Sequence, residues 1–77
     1  MDLKLADKLV VVTGAARGIG AETAKVFVQE GARVLLVDLN EEVKKLADDL
    51  NGDSLVCDLT DAGADERVSK TAEKLGG

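Results

Sequence analysis

The sequence predicts an α/β fold in which strands and helices alternate, β-α-β-α-β-α, around a parallel three-stranded sheet. Three observations carry that prediction. Short continuous apolar runs recur at Leu9–Thr13, Arg33–Val37 and Leu55–Cys57. Each is followed by a longer segment with apolar residues at helical spacing, and glycine or Asn-Gly punctuation separates most of these segments. Right-handed crossovers put the strands in order 3-2-1 and the first two helices on one face. The unit has two or three layers, according to where the third helix lies.

Taken in order, Leu3 and Leu5 alternate with charged residues and read as a lead-in to the first strand. Val10-Val11-Val12 shows no alternation, which predicts a strand buried on both faces, as central parallel strands are. A helix follows from about Gly18 or Ile19 to Glu30. Gly20, Ala24, Phe27, Val28 and Gly31 share one face, Glu22, Lys25 and Gln29 face water, and Gly31 is the stop. The second strand is Arg33 to Val37. Asn40 is placed to cap the second helix, with Glu41 and Glu42 favourable in its first turn. Val43, Leu46, Ala47 and Leu50 form its apolar stripe, and Asn51-Gly52 ends it. After the third strand, which closes at Asp58, Thr60 or Asp61 is expected to cap a helix from about Ala62 to Leu75. Its apolar face is thin (Ala64, Val68, Ala72, Leu75), and Gly63 weakens its first turn.

The totals narrow the function. With 77 residues, the chain has room for one small domain, and residues 1–77 are read as a single module without a linker. One cysteine and no histidine leave no internal disulfide and no zinc site. The net charge of −5 argues against general affinity for nucleic acid or anionic membranes. Met1 is followed by Asp2 and Lys4 with no apolar signal core, and no apolar run nears a membrane span, so a cytoplasmic protein is expected.

The chemistry is concentrated at Thr13-Gly14-Ala15-Ala16-Arg17-Gly18-Ile19-Gly20. A strand that turns straight into a helix needs glycine for backbone angles and close packing. The helix N-terminus then presents unpaired N–H groups and the positive end of its dipole, both suited to a diphosphate. No Gly-Lys-Ser/Thr closes the loop, so triphosphate hydrolysis gets little support. A tight structural turn would use the same glycines. What favours a ligand is Asp38, 18 positions beyond Gly20 and at the end of the second apolar run, where a carboxylate can accept from an adenosine ribose.

Thr13, Gly14, Gly18 and Gly20, with Ile19 at an aliphatic position, resemble the cofactor loop of the short-chain dehydrogenase/reductase family. Asp38 matches the acidic residue ending that family's second strand, and Asp58-Leu59-Thr60-Asp61 resembles its element after the third. The resemblance covers almost the whole chain, but about the first third of the family's usual length, stopping before strand four. It implies a Rossmann-type βαβαβα unit whose cofactor-binding residues are Thr13, Gly14, Ala16, Arg17, Gly18, Ile19, Gly20, Asp38, Leu39, Asp58 and Leu59. By that resemblance Asp58 accepts from the exocyclic amine of adenine and Leu59 borders the ring; alternatively Asp58 only solvates or caps a strand end. Arg17 next to the second glycine favours a 2′-phosphate, but Asp38 would meet that phosphate as a like charge. NAD is therefore expected over NADP, and Arg17 otherwise reads as a solvated loop charge.

The resemblance also implies a catalytic Ser and a Tyr-x-x-x-Lys pair, and this chain has no tyrosine. Without a tyrosine or histidine, nothing here donates a proton to a carbonyl oxygen as hydride moves. Cys57 sits in an apolar strand with no base beside it and reads as a core residue. The expectation is a non-catalytic module, isolated or engineered, that binds a dinucleotide or adenosine-diphosphate ligand through the ADP-ribose half of NAD. Two alternatives stay open: a self-assembling scaffold with a vestigial site, and part of an NAD(P)-dependent oxidoreductase that needs the missing half. The uncovered first strand and thin third helix lead to an expected homodimer, through first-strand pairing or third-helix exchange.

Overall fold

The structure, a computed structural model, describes residues 8–16 and 18–76. The lead-in read at Leu3 and Leu5 and the loop residue Arg17 lie outside the described residues. The elements are β1 (Leu9–Thr13), α1 (Gly18–Gln29), β2 (Arg33–Asp38), α2 (Glu42–Asp49), β3 (Asp53–Val56) and α3 (Ala64–Lys74). The sheet is parallel with β2 in the middle, as the crossover rule requires. Leu9 lies opposite Arg33 and Thr13 opposite Val37; on the other edge Leu35 lies opposite Asp53 and Asp38 opposite Val56.

Alternation along β2 divides the core. Val34 and Leu36 face α1 and α2, where they pack with Val12, Ala15, Ala24, Val43 and Ala47. Leu35 and Val37 face the other way, against Cys57, Ala64, Val68, Ala72 and Leu75. The unit therefore has three layers, with α3 the one helix on its face among the described residues. Arg33 fastens that helix, its Nη1 donating to the Leu75 carbonyl at 2.8 Å, where a cation also complements the helix dipole.

Three expectations are corrected. The unbroken Val10–Val12 run reads as a central strand, yet in β1 only Val12 is buried and Val11 is 37% exposed. The cause is position: β1 pairs only with β2 among the described residues, and on the face shared with Leu35 and Val37 only Leu9 of β1 joins the core. The third strand spans Asp53–Val56, and Cys57 follows it, its N–H bonded to the Asp38 carbonyl at 3.0 Å. Neither Thr60 nor Asp61 caps α3. Gly63 precedes it with φ of 85°, so the chain stays irregular until Ala64.

The helix stops follow the sequence. Gly31 takes φ of 88°, and the Ala32 N–H returns to the Phe27 carbonyl at 3.0 Å. Asn51 holds the left-handed position after α2 with φ of 55°. Gly52 serves a different need, since a Cβ there would lie 2.7 Å from Val34 Cγ2 and 2.9 Å from the Val34 carbonyl oxygen. Gly52→Ala should therefore destabilise by overpacking, about 1–3 kcal/mol, read as a lower urea midpoint. Equal midpoints for variant and parent would show that the turn at Gly52 does not lie this close to Val34 of β2.

Candidate functional site

All three strands end at the same side of the sheet, and the residues singled out by sequence gather there. Thr13 ends β1, exposed, and Gly14 turns the chain with φ of 63°. Gly18, φ 66°, opens α1. Gly20 must be glycine for packing: a Cβ would collide with the Gly14 carbonyl group, 2.8 Å from its carbon. The loop is thus folded back on the first turn of its own helix. Ile19 is 87% exposed beside it. Helix α1 has no acidic residue in its first turn, whereas α2 has Glu42 and α3 has Asp65 and Glu66. Its positive dipole end thus meets no anionic side chain of its own first turn.

Asp38 ends β2 and is half-buried. Its Oδ2 accepts from the Ala16 N–H at 2.9 Å and its Oδ1 from the Asn40 N–H at 2.9 Å. Asn40 Oδ1 in turn accepts from the Glu42 N–H at 2.9 Å. Glu41 already has helical angles, φ −65° and ψ −14°, so Asn40 serves as the cap that the sequence proposed. A run of hydrogen bonds thus joins the glycine loop, the end of β2 and the start of α2. Beyond the ribose and 2′-phosphate roles expected of it, Asp38 bonds to Asn40 in the two-residue turn that Asp commonly forms. The reach to Ala16, 22 residues away, carries no local signal.

Two residues past β3, Asp58 Oδ1 accepts from the Thr60 hydroxyl at 2.6 Å and the Thr60 N–H at 2.9 Å. Those two bonds, the hydroxyl first, hold its carboxyl below the ordinary value of 3.8. Leu39 and Leu59, 65% and 44% exposed, leave apolar surface after Asp38 and before Thr60. Cys57 is buried among Leu35, Val37 and Ala64, a core residue as expected. No group of acidic, His and Cys side chains suited to a metal occurs among the described residues. Two shallow depressions flank the loop. One is lined by Ala16, Glu42, Lys45, Leu46 and Asp49, and the other runs along α1 past Ile19, Thr23 and Val26.

A parallel sheet with a glycine turn into α1, and an acidic end to its second strand, defines a Rossmann-type unit. Comparison with known proteins gives the family: the short chain dehydrogenase family matches residues 8–77. The chain is 39% identical over 69 residues to oxidoreductase UcpA of Salmonella typhimurium, covering 90% of this chain and 26% of that protein. It is 36% identical to the NAD-dependent glycerol dehydrogenase of Listeria innocua, covering 96% and 29%. Against short-chain dehydrogenase reductase 5 of Arabidopsis thaliana the identity is 42%, with coverage of 95% and 30%. The chain belongs to the short-chain dehydrogenase family, and it spans less than a third of the length of these relatives. No helix among the described residues is long and apolar enough to cross a membrane.

The Asp58–Thr60 pair yields a prediction with a sign. Because the folded carboxyl titrates below its ordinary value, the turn is fully present above pH 3.8 and is lost as pH falls through the lower folded value. The Thr60 amide resonance should titrate with a midpoint below 3.8, and Thr60→Val should raise that midpoint. A parent midpoint at or above the ordinary value would mean that the turn is not formed.

Proposed function

We propose that residues 1–77 act as one module that binds the ADP-ribose half of NAD and carries no catalysis of its own. The carrying observation is the juxtaposition of the α1 N-terminus, framed by Gly14 and Gly18 at positive φ, with the Asp38 carboxylate. In this reading, N–H groups of the loop from Thr13 to Gly20, with Ala16, Arg17 and Ile19 among its residues, receive the diphosphate. Asp38 accepts from the ribose, Asp58 from the adenine amine, and Leu39 and Leu59 border the ring. The Asp38 carboxylate disfavours a 2′-phosphate, which supports NAD over NADP, and the name of the Listeria relative points the same way.

The relatives are oxidoreductases by name, and this chain spans under a third of them without a tyrosine. We therefore assign proton and hydride transfer to sequence beyond these residues, in an NAD(P)-dependent oxidoreductase of which this unit is the cofactor-binding part. A water-filled cellular compartment, the cytoplasm, fits the same assignment.

Ligand halves test the reading. NAD and ADP-ribose should bind the chain with similar affinity, on the order of 0.1–10 mM, and nicotinamide mononucleotide should not compete. Tighter binding of the nicotinamide half in an NMR titration would sink the proposal.

For the chain by itself we also infer a homodimer, paired antiparallel along β1 or exchanging α3. It is supported by the unprotected edge: no proline or charge interrupts Val10–Val12, and Val11 is exposed. Sedimentation equilibrium should report a dimer that Val11→Lys dissociates; a parent that stays monomeric at high micromolar concentration rules this association out.

A further inference from the structure

Resting on the nucleotide reading above, we propose that Asp38 is a positioning residue for the diphosphate loop, and not only a contact for ribose. Among the described residues the loop is held by small contacts: Ala15 sits in the core with Ala16 against it, and Gly20 packs on Gly14. Gly14, Ala15, Ala16 and Gly18 lack side chains long enough to anchor a turn, and two of them sit at positive φ. Ala15 is fully buried, but its N–H reaches the Val37 carbonyl only at 3.3 Å. The Ala16 N–H, in a half-buried residue, is taken at 2.9 Å by a charged acceptor on a different strand. Hydrogen bonds to an ionised acceptor are the stronger kind, and this one spans from the β1–α1 turn to the end of the central strand. Asp38 is itself oriented by the Asn40 N–H at 2.9 Å, and Asn40 is bonded to the start of α2. The carboxylate therefore fixes the loop from a rigid base before any ligand arrives. Ribose recognition and diphosphate recognition are coupled through one side chain.

The test separates loop positioning from ribose contact by using a probe that has no ribose. In the ligand-free chain, exchange of the Ala16 amide with solvent should be slow. Asp38→Ala should speed it roughly tenfold, while Leu36 and Val37 in β2 keep their protection as a check on folding. Asp38→Asn retains one acceptor oxygen, for which the Ala16 and Asn40 N–H groups compete, and should fall between parent and Asp38→Ala. Affinity for inorganic pyrophosphate should drop several-fold in Asp38→Ala, although removing a nearby negative charge would by itself raise it. Unchanged Ala16 exchange overturns the proposal. Pyrophosphate binding that is equal or tighter in Asp38→Ala also overturns it, and leaves Asp38 as a ribose contact if ADP-ribose binding is weakened. If the parent binds neither pyrophosphate nor ADP-ribose, the nucleotide reading fails and Ala16 exchange alone decides the positioning role.

Discussion

The structure depends on the complete burial of β2. Val34, Leu35, Leu36 and Val37 are each at most 1% exposed, two facing α1 and α2 and two facing α3. Removing each such side chain from water contributes about 1.5–3 kcal/mol, the largest stabilisation available to a chain with one phenylalanine and no disulfide. Strands on both sides satisfy its backbone, and all three helices pack on it or on its neighbours. Because β2 is the most constrained element, the residue at its end is well fixed in space. That residue is Asp38.

The candidate site follows from this constraint. In a parallel sheet all strand ends of one kind lie together, so the turn after β1, Asp38 after Val37 and Asp58 after Cys57 converge without any direct sequence relation. The Cys57 N–H bonded to the Asp38 carbonyl extends that pairing one residue past β3. Helix α1 adds the positive end of its dipole, and its first turn contains no acid to neutralise it. The glycines are spent on different tasks: Gly14 and Gly18 on backbone angle, Gly20 on contact between helix and turn.

Much of this was legible in the residues. Helical stripes, the Gly31 and Asn51 stops and the Asn40 cap depend on interactions within a few residues, and there the reading and the structure agree. Strand order followed from the crossover rule. Failures occurred where a nonlocal fact decided the outcome. The valines of β1 have the composition of a buried strand, but exposure depends on what packs beside them, and Val11 has only partial cover. The start of α3 was misplaced because Gly63 adopts a left-handed angle that acidic capping residues upstream do not reveal. The tie from Asp38 to Ala16 was invisible because it joins residues 22 apart in sequence. The resemblance to the short-chain dehydrogenase family rests on the glycine spacing, Asp38 and Asp58-Leu59-Thr60-Asp61 together, and the family match over residues 8–77 shows the membership.

The central claim is that the turn into α1 and the ends of β2 and β3 form one nucleotide site. The most direct measurement is an amide chemical-shift map of the chain during titration with ADP-ribose. The account predicts a single saturable process, with the largest changes at Gly14–Gly20, at Asp38–Asn40 and at Asp58–Leu59. Changes centred instead on Thr23, Lys25 and Val26 along the outer side of α1, with Asp38 and its neighbours unmoved, would contradict it.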